Sequence, residues 1–149
     1  MHDNFCWGCG ADNPDGLQIK TVWDGDTSLT RWTSSPEFAA GPKHILNGGI
    51  IATLLDCHGV CTAIADRYRS QDREIGTDPE IWCATASMSI QYLRPTPIDA
   101  EVELRATVGD VDERFSTIEV VLAADGKDRA RATVAAVLVH ESWRHGSPG

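Results

Sequence analysis

Apolar and polar positions along the chain fall into two alternating blocks separated by one helical block. Leu17, Ile19 and Thr21 alternate with Gln18, Lys20 and Val22, and Ser28 to Thr33 follows Asp24-Gly25-Asp26 at hairpin distance. This predicts two antiparallel strands. Ser34 to Lys43 holds two Pro, a Gly and two Ala with neither period, and reads as a connecting loop. Between Gly48 and Ala65, Ile50, Ile51, Leu54, Leu55, Cys61, Ile64 and Ala65 recur at helical spacing. Ala52, Gly59, Val60 and Ala63 on the opposite side are small rather than charged, so the helix is apolar nearly all round and is expected to be buried. Polar residues from Asp66 to Glu74 predict its end near Arg69.

From Ile81 to His140 the period is that of strands. Ala84, Ala86, Met88, Ile90 and Tyr92 form one alternating set, and Ala100, Val102, Leu104, Ala106 and Val108 another, divided by Pro95 and Pro97. Asp125-Gly126 marks a turn between Thr117–Leu122 and Arg129–Val139. Two strands, one buried helix and at least four more strands give an α+β class in which one sheet curls around one helix. Residues 1–149 read as a single domain, with 1–16 an ordered lead-in rich in turn residues and 143–149 a frayed tail. Open sheet edges lead us to expect dimerisation.

Charge narrows the function classes. Against 22 Asp plus Glu stand 13 Lys plus Arg, a formal charge of -9. A sequence-independent hold on nucleic acid or on an anionic membrane surface is disfavoured. No stretch reads as approaching the ~20 apolar residues of a membrane span, and the polar opening lacks the regions of a signal peptide, so a cytoplasmic location is expected. Five cysteines at scattered positions then read as thiols rather than as a disulfide framework.

The chemistry concentrates at the helix. Asp56 is the only Asp, Glu, Lys or Arg between Gly48 and Ala65, and an unpartnered carboxylate in a buried helix costs several kcal/mol. Asn47-Gly48-Gly49 opens the same helix, where backbone N–H groups at the positive end of the macrodipole can receive a carbonyl oxygen gaining negative charge. Asn47 is also a good N-cap. Nine residues of helix, or ~13.5 Å of rise, separate this start from Asp56. One chain cannot easily bring both to one substrate, which favours a site shared between subunits.

The stretch His44-Ile-Leu-Asn-Gly-Gly-Ile-Ile-Ala-Thr-Leu-Leu-Asp56 resembles the hotdog-fold acyl-CoA thioesterases of the PaaI type, whose signature is His-Gly-Gly followed by an apolar helix with an acidic residue at this spacing. Similarity extends to the Cys6-to-Leu17 opening, which is like the Cys-x-x-Cys-Gly and Asn-Pro-x-Gly-Leu lead-in of many such proteins, and to Tyr92-Leu-Arg-Pro95. The resemblance implies an antiparallel sheet of five or six strands around one long helix, in homodimers or homotetramers. It implies Asp56 as catalytic carboxylate, acting on water or as nucleophile, Gly49 as the backbone donor to the thioester carbonyl, and Thr85 as a holder of the attacking water. Asn47 stands where the family usually has His, and Gly41 where some members place Asn. An amide can cap and donate but cannot act as acid or base. Coenzyme A enters as part of the substrate, and no other cofactor is implied. A non-catalytic acyl-CoA-binding module and a hotdog hydratase, which needs an Asp-His pair, are the alternatives.

Other residues are weaker candidates. Gly48 and His44 lie at the helix start and can line a substrate site, and Arg94 beside Pro95 can contact coenzyme A phosphates. Cys6-x-x-Cys9 and Cys57-His58-x-x-Cys61 together offer enough ligands for zinc. Packing alone explains Cys57 and Cys61, however, and no spacing rule ties them to the N-terminus, so no metal is assigned. His58 points roughly 200° round the helix from Asp56 and makes no dyad with it.

Overall fold

A computed structural model of the chain describes Met1, residues 3–144 and Gly146. In order along the chain lie β1 (Val22–Asp24), β2 (Thr27–Thr33), a 3-10 turn (Pro36–Phe38), α1 (Gly48–Ser70), β3 (Cys83–Tyr92), β4 (Glu101–Val111), β5 (Phe115–Ala124), β6 (Lys127–Leu138) and a short α2 (Glu141–Arg144). The strands form one six-stranded sheet in the order β1-β2-β4-β5-β6-β3. Every neighbouring pair is antiparallel. The sheet packs one face on α1, as the strand and helix periods predict.

The central strands bury alternate residues against that helix. Val102, Leu104 and Ala106 of β4, Ile118, Val120 and Leu122 of β5 and Ala130, Ala132, Val134 and Ala136 of β6 meet Ile50, Ile51, Leu54, Leu55, Ala63, Ile64 and Tyr68 of α1. Small side chains on β6 let the helix come close. At Gly59 the approach is closest, since a Cβ there would lie 2.8 Å from a methyl of Val134. Asp125 and Gly126, at φ +52° and +68°, turn β5 into β6. Paired positive φ values are what a two-residue hairpin with right-handed strand twist requires.

Three expectations change. The first strand was expected from Leu17, but β1 begins at Val22. Leu17 and Ile19 are buried as their alternation implies, yet their N–H groups bond to Trp7 O and Gly8 O at 2.8 and 3.0 Å. Gln18, at φ +54°, breaks the extended backbone between them. The lead-in has thus taken the hydrogen bonds that a hairpin partner would have used. Secondly, α1 is 23 residues long and its most apolar window of 18 residues has a mean hydropathy of 1.5, apolar enough by length and composition to cross a membrane. It is the core helix, and half of that window is buried inside the fold. A sequence apolar on nearly every side is therefore covered by the sheet on one side only. Thirdly, Trp143 and Arg144, placed in the fraying tail by the sequence, belong to α2. Arg144 pairs with Glu80 and lies 4.5 Å from the centre of the Trp82 ring. His145 and residues 147–149 of that tail lie outside the described residues.

Candidate active site

Helix α1 starts where Asn47 supplies a cap. Its Oδ1 accepts the Gly49 N–H at 2.7 Å, the bond expected of a residue with extended backbone at a helix entry. A second clasp comes from β3, whose last residue, Tyr92, donates its hydroxyl proton to Gly48 O at 2.9 Å. The sequence signalled Tyr92 only as a strand-exit residue. His44 and Arg94 are exposed near this start. His44 O accepts from the Ile98 N–H at 3.1 Å, and Arg94 Nη1 donates to Asp128 O at 2.9 Å.

Two turns along, Asp56 is half-buried on the side of α1 that borders β3. Thr85 donates its hydroxyl proton to Asp56 Oδ1. The strand is irregular there: Thr85 pairs with Ala136 and Ser87 with Ala135, leaving Ala86 as an extra residue. A bulge bends the strand and re-aims the side chains beside it, which is how a sheet residue comes to face a helical carboxylate. Among the described residues Oδ2 has no partner, so one oxygen is fixed and the other is open.

Asp56 and Thr85 line a cleft of about 860 Å³ together with Val60, Ile64, Trp82 and Trp143. Its walls are mostly apolar and two of its polar groups are the bonded Asp-Thr pair. The structure therefore joins Asp56 to Thr85 and Asn47 to Gly49, and leaves the two pairs apart: seven residues of helix between Gly49 and Asp56 rise ~10.5 Å.

His58 makes no dyad with Asp56. Wholly buried on the sheet side of α1, it is ringed by hydroxyls. Thr62 donates to His58 O at 2.7 Å, so Ser28 donates to Thr62 Oγ1 at 2.6 Å and accepts from Nε2–H at 3.1 Å. Thr30 gives its one hydroxyl proton to Lys20 O at 2.8 Å, so Nδ1 accepts from the Thr21 hydroxyl at 3.2 Å, with Thr30 Oγ1 2.9 Å away. This assignment follows from the donors left over. Burial pushes the ring down to about 4, so it is neutral at pH 7.

All five cysteines line this cleft, and four of them, Cys6, Cys9, Cys57 and Cys61, neighbour one another. Cys6 and Cys57 place their sulfurs 3.7 Å apart, and those of Cys6, Cys9 and Cys57 all lie within 4.8 Å of one another. The Cys57, Cys6 and Cys61 thiols donate to Cys9 and hold it far below the ordinary thiol range. Its hydrogen bonding with Cys6 and with Cys9, with burial behind it, pushes Cys57 up. Donation to Cys9, again with burial, raises Cys61. Sequence spacing could not link the two pairs, because the fold of the lead-in alone decides whether they meet.

Known proteins place this arrangement. Residues 40–139 match the model of the acyl-CoA thioesterase N-terminal domain family. A thioesterase-superfamily protein from Shewanella loihica is 30% identical, with a TM-score of 0.68 over 82% of this chain and 91% of that one. At 14% identity, a Haemophilus influenzae thioesterase has the same fold, with a TM-score of 0.70 over 89% of this chain and 85% of its own. The E. coli PaaI protein, from the phenylacetic acid degradation operon, is 13% identical with a TM-score of 0.67, covering 83% and 81%. No curated protein sequence matches the chain. The antiparallel sheet on one long helix is thus the hotdog fold, shared with the E. coli PaaI protein, and the chain belongs to the acyl-CoA thioesterase domain family.

Proposed function

We propose that the protein hydrolyses acyl-CoA thioesters, with Asp56 activating water or attacking the carbonyl itself. The observation that carries this reading is the Thr85–Asp56 bond at the wall of an apolar cleft. A carboxylate held by one oxygen keeps its other oxygen for a water or a carbonyl carbon, and the apolar walls suit an acyl group. Thr85 then orients Asp56 and can share the water that Asp56 activates. After attack, electrons move onto the thioester oxygen; collapse of the tetrahedral species expels the coenzyme A thiolate, which takes the proton Asp56 removed from water, or, where Asp56 itself attacked, a proton from solvent, and water then opens the acyl–Asp56 anhydride to release the free acid.

The thioester oxygen needs donors as its charge grows, and those at the start of the same helix are out of reach of Asp56. We assign this role to the helix start of a second copy, within a homodimer or homotetramer. Two features support that assembly: β3 is the outer strand of the sheet and ten residues long, and Gly49, Thr53, Asp56 and Val60 form an incompletely covered stripe on α1 beside it. Asn47 Oδ1 holds the Gly49 N–H, so an incoming carbonyl replaces that cap. Exposed Arg94 commits one guanidinium N–H to Asp128 O. Its remaining donors, with His44, are free to meet coenzyme A phosphates passing the helix start.

A hydratase reading lacks support, since His58 is committed to hydroxyls. A binding module without turnover is the competing reading, favoured by Asn47 in place of the family's usual His. Release of free coenzyme A from short, medium, long-chain and aromatic acyl-CoA separates them. Hydrolysis of at least one class is expected; saturable binding of all with release from none would establish the binding module.

A further inference from the structure

The lead-in and the outer side of α1 bring together four sulfurs that the hydrolytic reading does not use. Cys57 and Cys61 are one helical turn apart and so share a face of α1. Cys6 and Cys9 reach that face from a loop that glycine makes possible. A Cβ on Gly8 would lie 2.2 Å from Cys57 Sγ, so the loop rests directly on the helical thiol. At Gly10 a Cβ would come within 2.4 to 2.6 Å of Cys6 N, Cys6 O and Asn4 O, and the Gly10 N–H closes the loop onto Cys6 O at 2.8 Å. The knuckle thus folds back on itself with both thiols turned to α1.

We propose that Cys6, Cys9, Cys57 and Cys61 form a tetrahedral zinc site that pins the lead-in to α1 beside the cleft. Geometry selects the ion. Sulfurs each ~2.3 Å from a tetrahedral zinc lie about 3.8 Å from one another, and Cys6 and Cys57 stand at 3.7 Å. Cys9 lies within 4.8 Å of both. Cys61, one helical turn beyond Cys57 on the same face of α1 and lining the same cleft, supplies the fourth ligand. A polynuclear iron-sulfur cluster would hold its cysteines farther apart, around the whole cluster, and tetrahedral all-sulfur ligation of a single divalent ion suits zinc. Each thiol that ligates releases its proton to solvent, and no electron is transferred. With all four positions filled by protein the site is closed to substrate, so its role is structural: it anchors residues that wall the cleft next to Asp56. This inference stands whether or not the chain hydrolyses acyl-CoA.

The test uses the full chain, kept reduced and titrated with zinc against a chromophoric chelator. One zinc per chain is expected, and cobalt in its place should show the intense sulfur-to-metal charge-transfer absorption of thiolate ligation. A Cys6→Ser/Cys9→Ser variant alters only the lead-in, outside the matched 40–139 region, and circular dichroism checks its fold. It should lose far more zinc affinity than the ~10–100-fold that removal of an outer-shell partner costs. Chelation should lower Tm in the wild type and leave the variant unmoved. Failure of the reduced wild type to take up one zinc overturns the proposal, as does equal uptake by the folded variant. A Cys6–Cys57 disulfide that persists under reducing conditions overturns it too.

Discussion

Asp56 and His58 stand two residues apart on one helix and meet opposite fates. His58 turns to the sheet, where four hydroxyl residues, Thr21, Ser28, Thr30 and Thr62, and the carbonyl of its own residue close a complete network. Asp56 faces the cleft with a single side-chain bond, from Thr85. A buried polar group whose bonds are all made rigidifies a core and has no lone pair or proton left for a ligand. A half-exposed carboxylate anchored by one oxygen is oriented and still reactive. The residue whose bonds are all made is therefore the structural one, and in the proposed reaction the chemistry falls to its neighbour.

The sharpest way to break this contrast is to neutralise Asp56. Asp56→Asn keeps the shape but is neither base nor nucleophile, and thioester hydrolysis should fall ~10²–10⁴-fold while Tm stays near wild type. Steady-state kinetics beside a melting curve reads both. Activity within a few-fold of wild type would remove Asp56 from the reaction.

His58 should show the reverse pattern in stability. Burial lowers its titration to about 4 in the fold, against about 6.5 when unfolded. The unfolded chain thus binds the proton first as pH falls. The contribution is fully present above about pH 6.5 and is lost on acidification toward pH 4, a fall of about 3 kcal/mol. Denaturant unfolding at several pH values should show this slope, and His58→Gln should flatten it. A slope unchanged in the variant would show that another group titrates.

Thr85→Val removes one hydrogen bond to a charged group, worth about 1.5–3 kcal/mol. A ~10–100-fold loss in kcat with little change in KM is expected, because the valine keeps the bulk but no longer orients the carboxylate. The smallest effect is at the helix start. Asn47→Ala removes the cap on Gly49 and should cost ~1 kcal/mol of stability, read as a lower Tm. A kcat loss larger than that, at unchanged Tm, would mean that the Asn47 amide itself meets the substrate.

Much of this contrast was legible in the sequence. The lone acid in an apolar helix, the Asn-Gly-Gly opening and the alternating strands led to the fold, Asp56 and the cap. Thr85 came only through resemblance, since a bulge aims it and bulges leave no clear periodic mark. Gly59 and Ala63 are buried as their pattern implied, whereas Ala52 and Val60 are only half-covered, because small apolar residues look the same beneath a sheet and beside a cleft. Leu17 to Thr21 alternates as a strand does, yet its backbone bonds to the lead-in, and only that fold shows Cys6 and Cys9 reaching Cys57. Ser28 and Thr30, spaced along β2, gave no hint that they would enclose His58, because the pairing depends on sheet register.

A site divided between two copies predicts complementation. Asp56→Asn lacks the carboxylate, while Gly49→Pro lacks the N–H at the helix start, a place where proline is tolerated in a helix. Each variant alone should be nearly inactive. Unfolded together and refolded, mixed oligomers join an intact Asp56 from one chain to an intact Gly49 from the other, and acyl-CoA hydrolysis should return. Mixed oligomers that form, as shown by native mass spectrometry, and remain as inactive as their parents would contradict a shared site.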